Sequence, residues 1–285
     1  MEWISNSNIL IVGLGLIGGS YAQALHRLGY HVSAITRRRA SIDYALEQGW
    51  IDKGYDYVDE ETVRTADAVI FALYPGVFLD WLREHQHLFK PGAMLTDVTG
   101  VKSCIVYEAQ DMLRDDVEFI AAHPMAGREV YGVENSDCRI FKDANYIVTP
   151  TARNTPEGVE WCESLGRVLG FRKISVLSPE EHDEMIGFVS QLTHCIAVAL
   201  MTCSDNRNLA DYTGDSFRDL TRIARINDNM WSELFLRNKE PLLRQMDRFA
   251  REFRSLRDLL AAEDEAGLRE KMKLSTQRRA YFDKK

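Results

Sequence analysis

Three glycines, Gly13, Gly15 and Gly18, stand in the run Ile9-Leu-Ile-Val-Gly-Leu-Gly-Leu-Ile-Gly-Gly-Ser20, and their spacing is the first along the chain that can do chemistry. They directly follow an apolar run that reads as a strand and directly precede a stretch that reads as a helix. In that context the first glycine permits a tight turn and the second lets the backbone approach a pyrophosphate. The third lets the helix pack closely on the strand, leaving its N-terminal amides and dipole facing the anion. Gly13, Leu14, Gly15, Ile17 and Gly18 are therefore candidate cofactor contacts. The bland alternative is a glycine-rich turn without a ligand, and the flanking strand and helix weigh against it. The second predicted strand ends at Thr36, where a site built for NAD usually offers an acid to the adenosine ribose. Here Thr36 is followed by Arg37, Arg38 and Arg39. Guanidinium forks can pair bidentately with a 2′-phosphate, so Thr36, Arg37 and Arg38 point to NADP in preference to NAD. A solvated basic turn is the plainer reading of the same three arginines.

In an open sheet wrapped by helices, substrate lies beyond the carboxyl ends of the strands. Two segments fall there: Thr96-Asp-Val-Thr-Gly-Val-Lys102 and Ala121-Ala-His-Pro-Met-Ala-Gly-Arg-Glu129. His123 follows an apolar strand and precedes a proline-fixed turn, a setting that holds an imidazole at the sheet edge beside a nicotinamide. A lone histidine is more often structural than catalytic, and it is the position of this one that marks it. Farther on, a 3.6-residue helix puts Gly187, Ser190, Gln191 and His194 on one face, a polar stripe on an otherwise apolar segment. Such a stripe needs partners, whether ligand, water or buried protein groups.

The elements that must hold these residues alternate. Candidate strands cover Ile9 to Val12, Val32 to Thr36, Ala68 to Leu73, Met94 to Asp97, Phe119 to Ala122 and Tyr146 to Thr149, with helices between them, the signature of a parallel sheet. After Pro150 come one more helix and a short run near Ile174 to Leu177. Ser178, Pro179 and Glu181 then supply an N-cap, a proline at the first helical position and a capping-box acid. Beyond them everything reads as helix, including amphipathic stretches over Trp231 to Leu260 and Ala266 to Phe282. The expected architecture is an α/β Rossmann-type parallel-sheet domain over residues 1–177, followed by an all-helical domain over 178–285. Met185 to Cys203 carries no Asp, Glu, Lys or Arg and approaches the length of a membrane span. Ser190, Gln191, Thr193, His194 and Thr202 interrupt it and no basic or aromatic anchors frame it, so a buried core helix is the expectation.

The glycine loop, DVTGVK (97–102), AHPMAGRE (122–129), EHDEMIGFVSQLTH (181–194) and DLTRIA (219–224) together resemble the prephenate dehydrogenase family, in order and over nearly the whole chain. The resemblance implies oxidative decarboxylation of prephenate to 4-hydroxyphenylpyruvate in tyrosine biosynthesis, with hydride transfer to NAD(P), by a homodimer joined through its C-terminal helices. It implies His123 as the catalytic histidine, which suits imidazole because it titrates near working pH. Arg222 matches the substrate-binding arginine, and a surface ion pair with Asp215 or Asp219 is its plainer reading. His194 matches a second family histidine, with a catalytic or substrate-binding role. For Gln191 substrate contact and core hydrogen bonding stay equally open. The sequence departs from the family at Gly100, where a serine commonly binds the reacting hydroxyl. Either Thr99 supplies that hydroxyl from a shifted backbone, or the contact is missing. Arg128 is a second departure, since a small hydroxyl residue is commoner there. Prephenate and arogenate are both open as substrate.

A net charge of −8 leaves no basic field for nucleic acid. The five cysteines show no CxxC spacing and read as reduced thiols, with no metal site expected. The strand beginning near Asn8 leaves no room for a secretory leader, so a cytoplasmic protein is expected. A β-hydroxyacid dehydrogenase is the nearest alternative enzyme, but its catalytic lysine has no counterpart, since no lysine lies between Pro179 and Leu220. A non-catalytic NADP sensor is the alternative from another class.

Overall fold

The computed structural model describes residues 7–283, so the first six residues, read above for a leader, lie outside it. The chain forms two compact units that divide between Asn238 and Lys239. The first begins with six parallel strands: β1 (Asn8–Val12), β2 (His31–Ile35), β3 (Lys53–Tyr55), β4 (Ala68–Phe71), β5 (Met94–Asp97) and β6 (Glu118–Phe119). Their spatial order is 3-2-1-4-5-6. β1 is apolar on both faces because both are covered: Ile9 and Ile11 join one core, Leu10 and Val12 the other. Helices α1 (Leu16–Arg27) and α2 (Arg39–Glu47) pack on the first face. Helices α3 (Glu60–Thr65), α4 (Pro75–His85) and α5 (Ser103–Met112) pack on the second. The order reverses between β1 and β4, which opens the crevice where sheets of this kind bind ligands.

One parallel sheet was expected, and there are two. β7 (Ala121–Pro124), β8 (Asn145–Thr149) and β9 (Lys173–Val176) form a separate three-stranded sheet in which β7 and β8 are antiparallel. The predicted strand from Phe119 to Ala122 is split between the two. Ile120 still donates to the Leu95 carbonyl at 2.9 Å. The next inward amide, that of Ala122, goes instead to the Asp97 side chain at 3.1 Å. The backbone ladder with β5 ends there, and the chain is free to pair with β8. Helix α6 (Pro156–Val168) covers the small sheet with Trp161, Cys162 and Leu165.

The capping box forms as expected: the Ser178 hydroxyl accepts from the Glu181 amide, and the Ser178 amide donates to the Glu181 carboxylate. Helix α7 (Pro179–Ile186) runs from it into α8 (Leu192–Thr202) through a π-helical turn over Gly187–Gln191. That turn breaks the 3.6-residue phase assumed for the polar stripe. The segment Pro179–Thr202 has a mean hydropathy of 1.6 and is long enough to span a bilayer, but only 28% of its apolar window is buried. The expectation of a core helix is therefore met only in part, since Phe188, Val189 and Met201 are exposed in the single chain. Helices α9 (Asp215–Thr221) and α10 (Asp228–Arg237) complete the first unit. The helix expected over Trp231 to Leu260 is broken at Asn238, whose backbone leaves the helical region. Its side chain turns inward to the Asp183 carbonyl and to Gln191. In the second unit, α11 (Lys239–Ala261) and α12 (Glu265–Arg279) are tied by Lys271, which pairs with Glu252 and donates to Ser255.

Candidate active site

The glycine loop leaves β1 and enters α1 as the sequence requires. Gly13 has φ +103°, and a Cβ there would run into the Ala72 carbonyl at the end of β4. A Cβ on Gly18 would strike the Gly13 carbonyl, so the third glycine is what lets α1 sit against the loop. Around Gly15 the situation is the reverse: no described atom lies within 4 Å of where a Cβ would be. The N-terminus of α1 has no side-chain cap, so its amides remain available to an anion. These features fit a dinucleotide. Leu14 is buried in the core, so what it offers a cofactor is backbone, while Ile17 is half-buried. Thr36 directly follows β2, with its amide on the Tyr55 carbonyl. Arg39 pairs with Asp43, whereas Arg37 and Arg38 are exposed and make no ion pair among the described residues.

His123 lies one residue past the amide bonded to Asp97, level with the segment that leaves β5. Its Nδ1 is 2.9 Å from Nε2 of His182, and Nδ1 of His182 is 2.8 Å from Oδ1 of Asp183. Both of these partners sit on α7, placed there by the capping box. Asp183 also accepts the amides of Lys102 and Ser103, each at 2.8 Å, and so closes the N-terminus of α5. Burial opposes ionisation of Asp183, but hydrogen bonds from His182 and Ser103 outweigh it and hold the carboxyl below its usual range. Burial, with help from His182 and the Lys102 cation, pushes His123 well below the ordinary imidazole range. Burial also lowers His182, against the pull of Asp183. Both rings are neutral at pH 7.

Beneath them Lys102 is fully buried. Its Nζ donates to both oxygens of Asp97 at 3.0 and 2.7 Å and to the Ala122 carbonyl at 2.5 Å. Thr99 belongs to this network. Its hydroxyl donates to Asp97 at 2.5 Å and receives Lys102 at 3.3 Å, and the residue is 4% exposed. In this structure the Thr99 hydroxyl, the candidate for meeting a substrate alcohol, is held by Asp97. Position 100 leaves room beside the imidazole, since the nearest atoms to a Cβ there would be the Leu234 methyls at 3.7 Å and Cε1 of His123 at 3.8 Å, ordinary van der Waals contacts.

Arg222 pairs with Glu129, at the end of the same segment that carries His123, and not with Asp215, which is held by Arg218. His194 bonds the Ser190 carbonyl through Nδ1 at 2.9 Å and stacks on Trp231 with ring centres 3.7 Å apart. Burial lowers its affinity for a proton, and Glu129 and Arg222 are close enough to pull on it in opposite directions. Gln191 donates to the Leu234 carbonyl at 3.1 Å and accepts from Asn238 at 2.7 Å, with 1% exposure. Arg128 pairs with Asp137, on the rim of a polar cleft of about 460 Å³ along α1. No cluster of metal-ligating side chains occurs among the described residues, and all five cysteines are free, with burial pushing Cys162 up to about 12. Sequence reasoning missed His182, Asp183 and Lys102 as partners of His123. Their signal was a His-Asp pair four and five residues after a helix cap, which acquires meaning only once α7 is docked on α5.

A family model described as prephenate dehydrogenase, nucleotide-binding domain, matches residues 21–175, and one described as prephenate dehydrogenase, dimerization domain, matches residues 178–274. The chain belongs to the prephenate dehydrogenase family. The prephenate dehydrogenase of Bacillus subtilis (strain 168) is 32% identical over 268 residues, which cover 91% of this chain and 72% of that one. The cyclohexadienyl dehydrogenase of Zymomonas mobilis is 29% identical over 95% and 94% of the two chains. Among solved structures, prephenate dehydrogenase from A. aeolicus in complex with hydroxyphenyl propionate and NAD+ superposes with a TM-score of 0.90. It is 30% identical and covers 99% of this chain and 100% of its own. Like that family, this protein is a nicotinamide-dependent dehydrogenase of tyrosine biosynthesis, built from a dinucleotide-binding sheet followed by helices that include a dimerisation domain.

Proposed function

We propose that the chain carries out oxidative decarboxylation of prephenate, with His123 as the base that takes the proton of the ring hydroxyl. The carrying observation is an imidazole beyond the carboxyl end of β5, backed by His182 at 2.9 Å and with room toward Gly100. When bound, the oxidised nicotinamide supplies the hydride acceptor. The chain's own part is to hold the alcohol against His123, to receive its proton and to fix the carboxylates while CO2 departs and the ring becomes aromatic. Lys102 helps keep His123 unprotonated at rest, which suits a base rather than an acid. Arg222 is the carboxylate partner, its fork matched to that geometry and occupied in this structure by Glu129, which a substrate carboxylate would replace. His194 stacks on Trp231 and feels the charges of Arg222 and Glu129, which supports a contact with the substrate side chain.

We assign the cofactor domain to residues 1–177 and the substrate and dimerisation domain to 178–285, the second starting at the capping box. The exposed apolar residues of α7 and α8 support a homodimer that covers them. Free Arg37 and Arg38 support NADP over NAD, and free thiols accord with the cytoplasm. The deciding experiment is a kinetic comparison of prephenate and arogenate with each cofactor, on the parent protein and on His123→Asn. Turnover of prephenate, faster with NADP, is the expected outcome, with kcat of the variant reduced by about two orders of magnitude or more and cofactor affinity kept. No reduced cofactor from either substrate, or an unimpaired variant, would refute the assignment.

A further inference from the structure

We propose that Asp183 and His182 act as a relay that fixes the tautomer of His123, so that its Nε2 is the bare, proton-accepting nitrogen before substrate arrives. The inference rests on His123 being the base. It follows from counting donors and acceptors along one chain of contacts. Asp183 is ionised and has only lone pairs to offer, and Oδ1 already accepts the Lys102 amide. The imidazole nitrogen 2.8 Å away, Nδ1 of His182, must therefore carry a proton, because two acceptors at that distance repel. A neutral imidazole has one N–H, so Nε2 of His182 holds a lone pair. The atom 2.9 Å from it, Nδ1 of His123, is then the donor, which leaves Nε2 of His123 without a proton. When the substrate hydroxyl gives up its proton, the O–H bond breaks and an N–H bond forms at Nε2. The imidazolium so formed is stabilised through His182 by the Asp183 charge.

The charged and titratable groups facing this chain come from the end of β5 and the segment after it, from α5 and from α7. Asp97 closes β5 and Lys102 follows it, the Cys104 thiol and the Tyr107 phenol face Asp183 from α5, and His182 and Asp183 themselves lie on α7. Lys102 and Asp97 form a buried pair of zero net charge, so the uncompensated charge acting along the relay is that of Asp183. The position where the family commonly has a serine is Gly100 here, and Thr99 is committed to Asp97. Orientation of His123 therefore falls on the α7 side. His182 and Asp183 are positioning residues: neither touches the reacting atoms.

Two measurements test this. Histidine-selective 15N NMR of the unsubstituted protein near pH 7.5 reads the tautomers directly. Protons on Nδ1 of both His123 and His182 are expected, and a proton on Nε2 of His123 at rest overturns the proposal. In parallel, His182→Leu should lower kcat by about tenfold or more with prephenate KM changed less than about threefold, and His182→Gln, whose carbonyl can still accept from Nδ1 of His123, should recover part of the loss. Asp183→Asn should move the acid limb of kcat/KM to lower pH, since removal of the anion makes the imidazolium harder to form. A folded His182→Leu protein with parent kcat and an unmoved acid limb also overturns it. If the variants do not fold, the NMR result decides alone. Failure of the underlying reading is separable, because an unimpaired His123→Asn protein condemns the base itself, whereas an inactive His123→Asn with a normal His182→Leu condemns only the relay.

Discussion

Lys102 places a cationic headgroup where no solvent reaches, and three oxygens from Asp97 and Ala122 surround it. Burial lowers its proton affinity and the Asp97 charge offsets only part of that. Removing one partner of such a pair leaves the other charge stranded, so Lys102→Ala should destabilise the fold by about 3–5 kcal/mol. Urea unfolding followed by circular dichroism checks this, and a loss under about 1 kcal/mol would mean that water enters and solvates Asp97. Gly100 makes the opposite case. A Cβ there meets only ordinary van der Waals neighbours, at 3.7–3.8 Å. Gly100→Ser should therefore fold with unchanged stability and place a hydroxyl beside His123, with prephenate KM lowered. An increased KM would show that the space is used by the substrate ring.

At the scale of elements, the glycines of the loop separate two roles that the sequence motif merges. Gly13 sits at positive φ against the Ala72 carbonyl, while Gly15 faces open space among the described residues. Gly13→Ala should cost stability, by about 1–3 kcal/mol, as well as cofactor binding. Gly15→Ala should leave the melting curve in place and weaken only NADP, as read by fluorescence titration. Much of this region was legible in the sequence because its signals are local: an apolar strand, a glycine turn, a helix start, a capping box. The divided sheet was not, since it depends on the Asp97 side chain replacing one backbone ladder bond. Nor were β3 and α3, three and six residues long, too short to show a period. The π-turn rotated Gln191 toward Leu234 and Asn238, a change of phase that a regular helical wheel does not contain. His123 could be found from its strand and proline, but its partners come from 59 and 60 residues farther along the chain and meet it only through tertiary docking.

For the molecule as a whole, His123 and His182 are held neutral by burial. The unfolded chain binds their protons near pH 6.5 and the native one only at lower pH, so unfolding takes up protons in that window. The stability these sites permit is complete above about pH 6.5 and should fall as the solution is acidified toward their native pKa values, by up to about 1.4 kcal/mol per pH unit for each ring. Denaturant midpoints measured between pH 7.5 and 5 test this, and a flat profile would mean that the rings protonate without penalty. The same measurements on His182→Leu should show a shallower slope.

Asp183 belongs to one helix, yet the two amides it secures open another, so one carboxylate is both a fastener between helices and the far end of the contacts that orient His123. The consequence is that chemical competence reports on how firmly α7 is seated. Gentle heating that merely loosens that seat should silence turnover several degrees before far-ultraviolet dichroism records any melting, and cooling should bring it back. If inactivation and melting coincide, the fastener opens only with the whole structure.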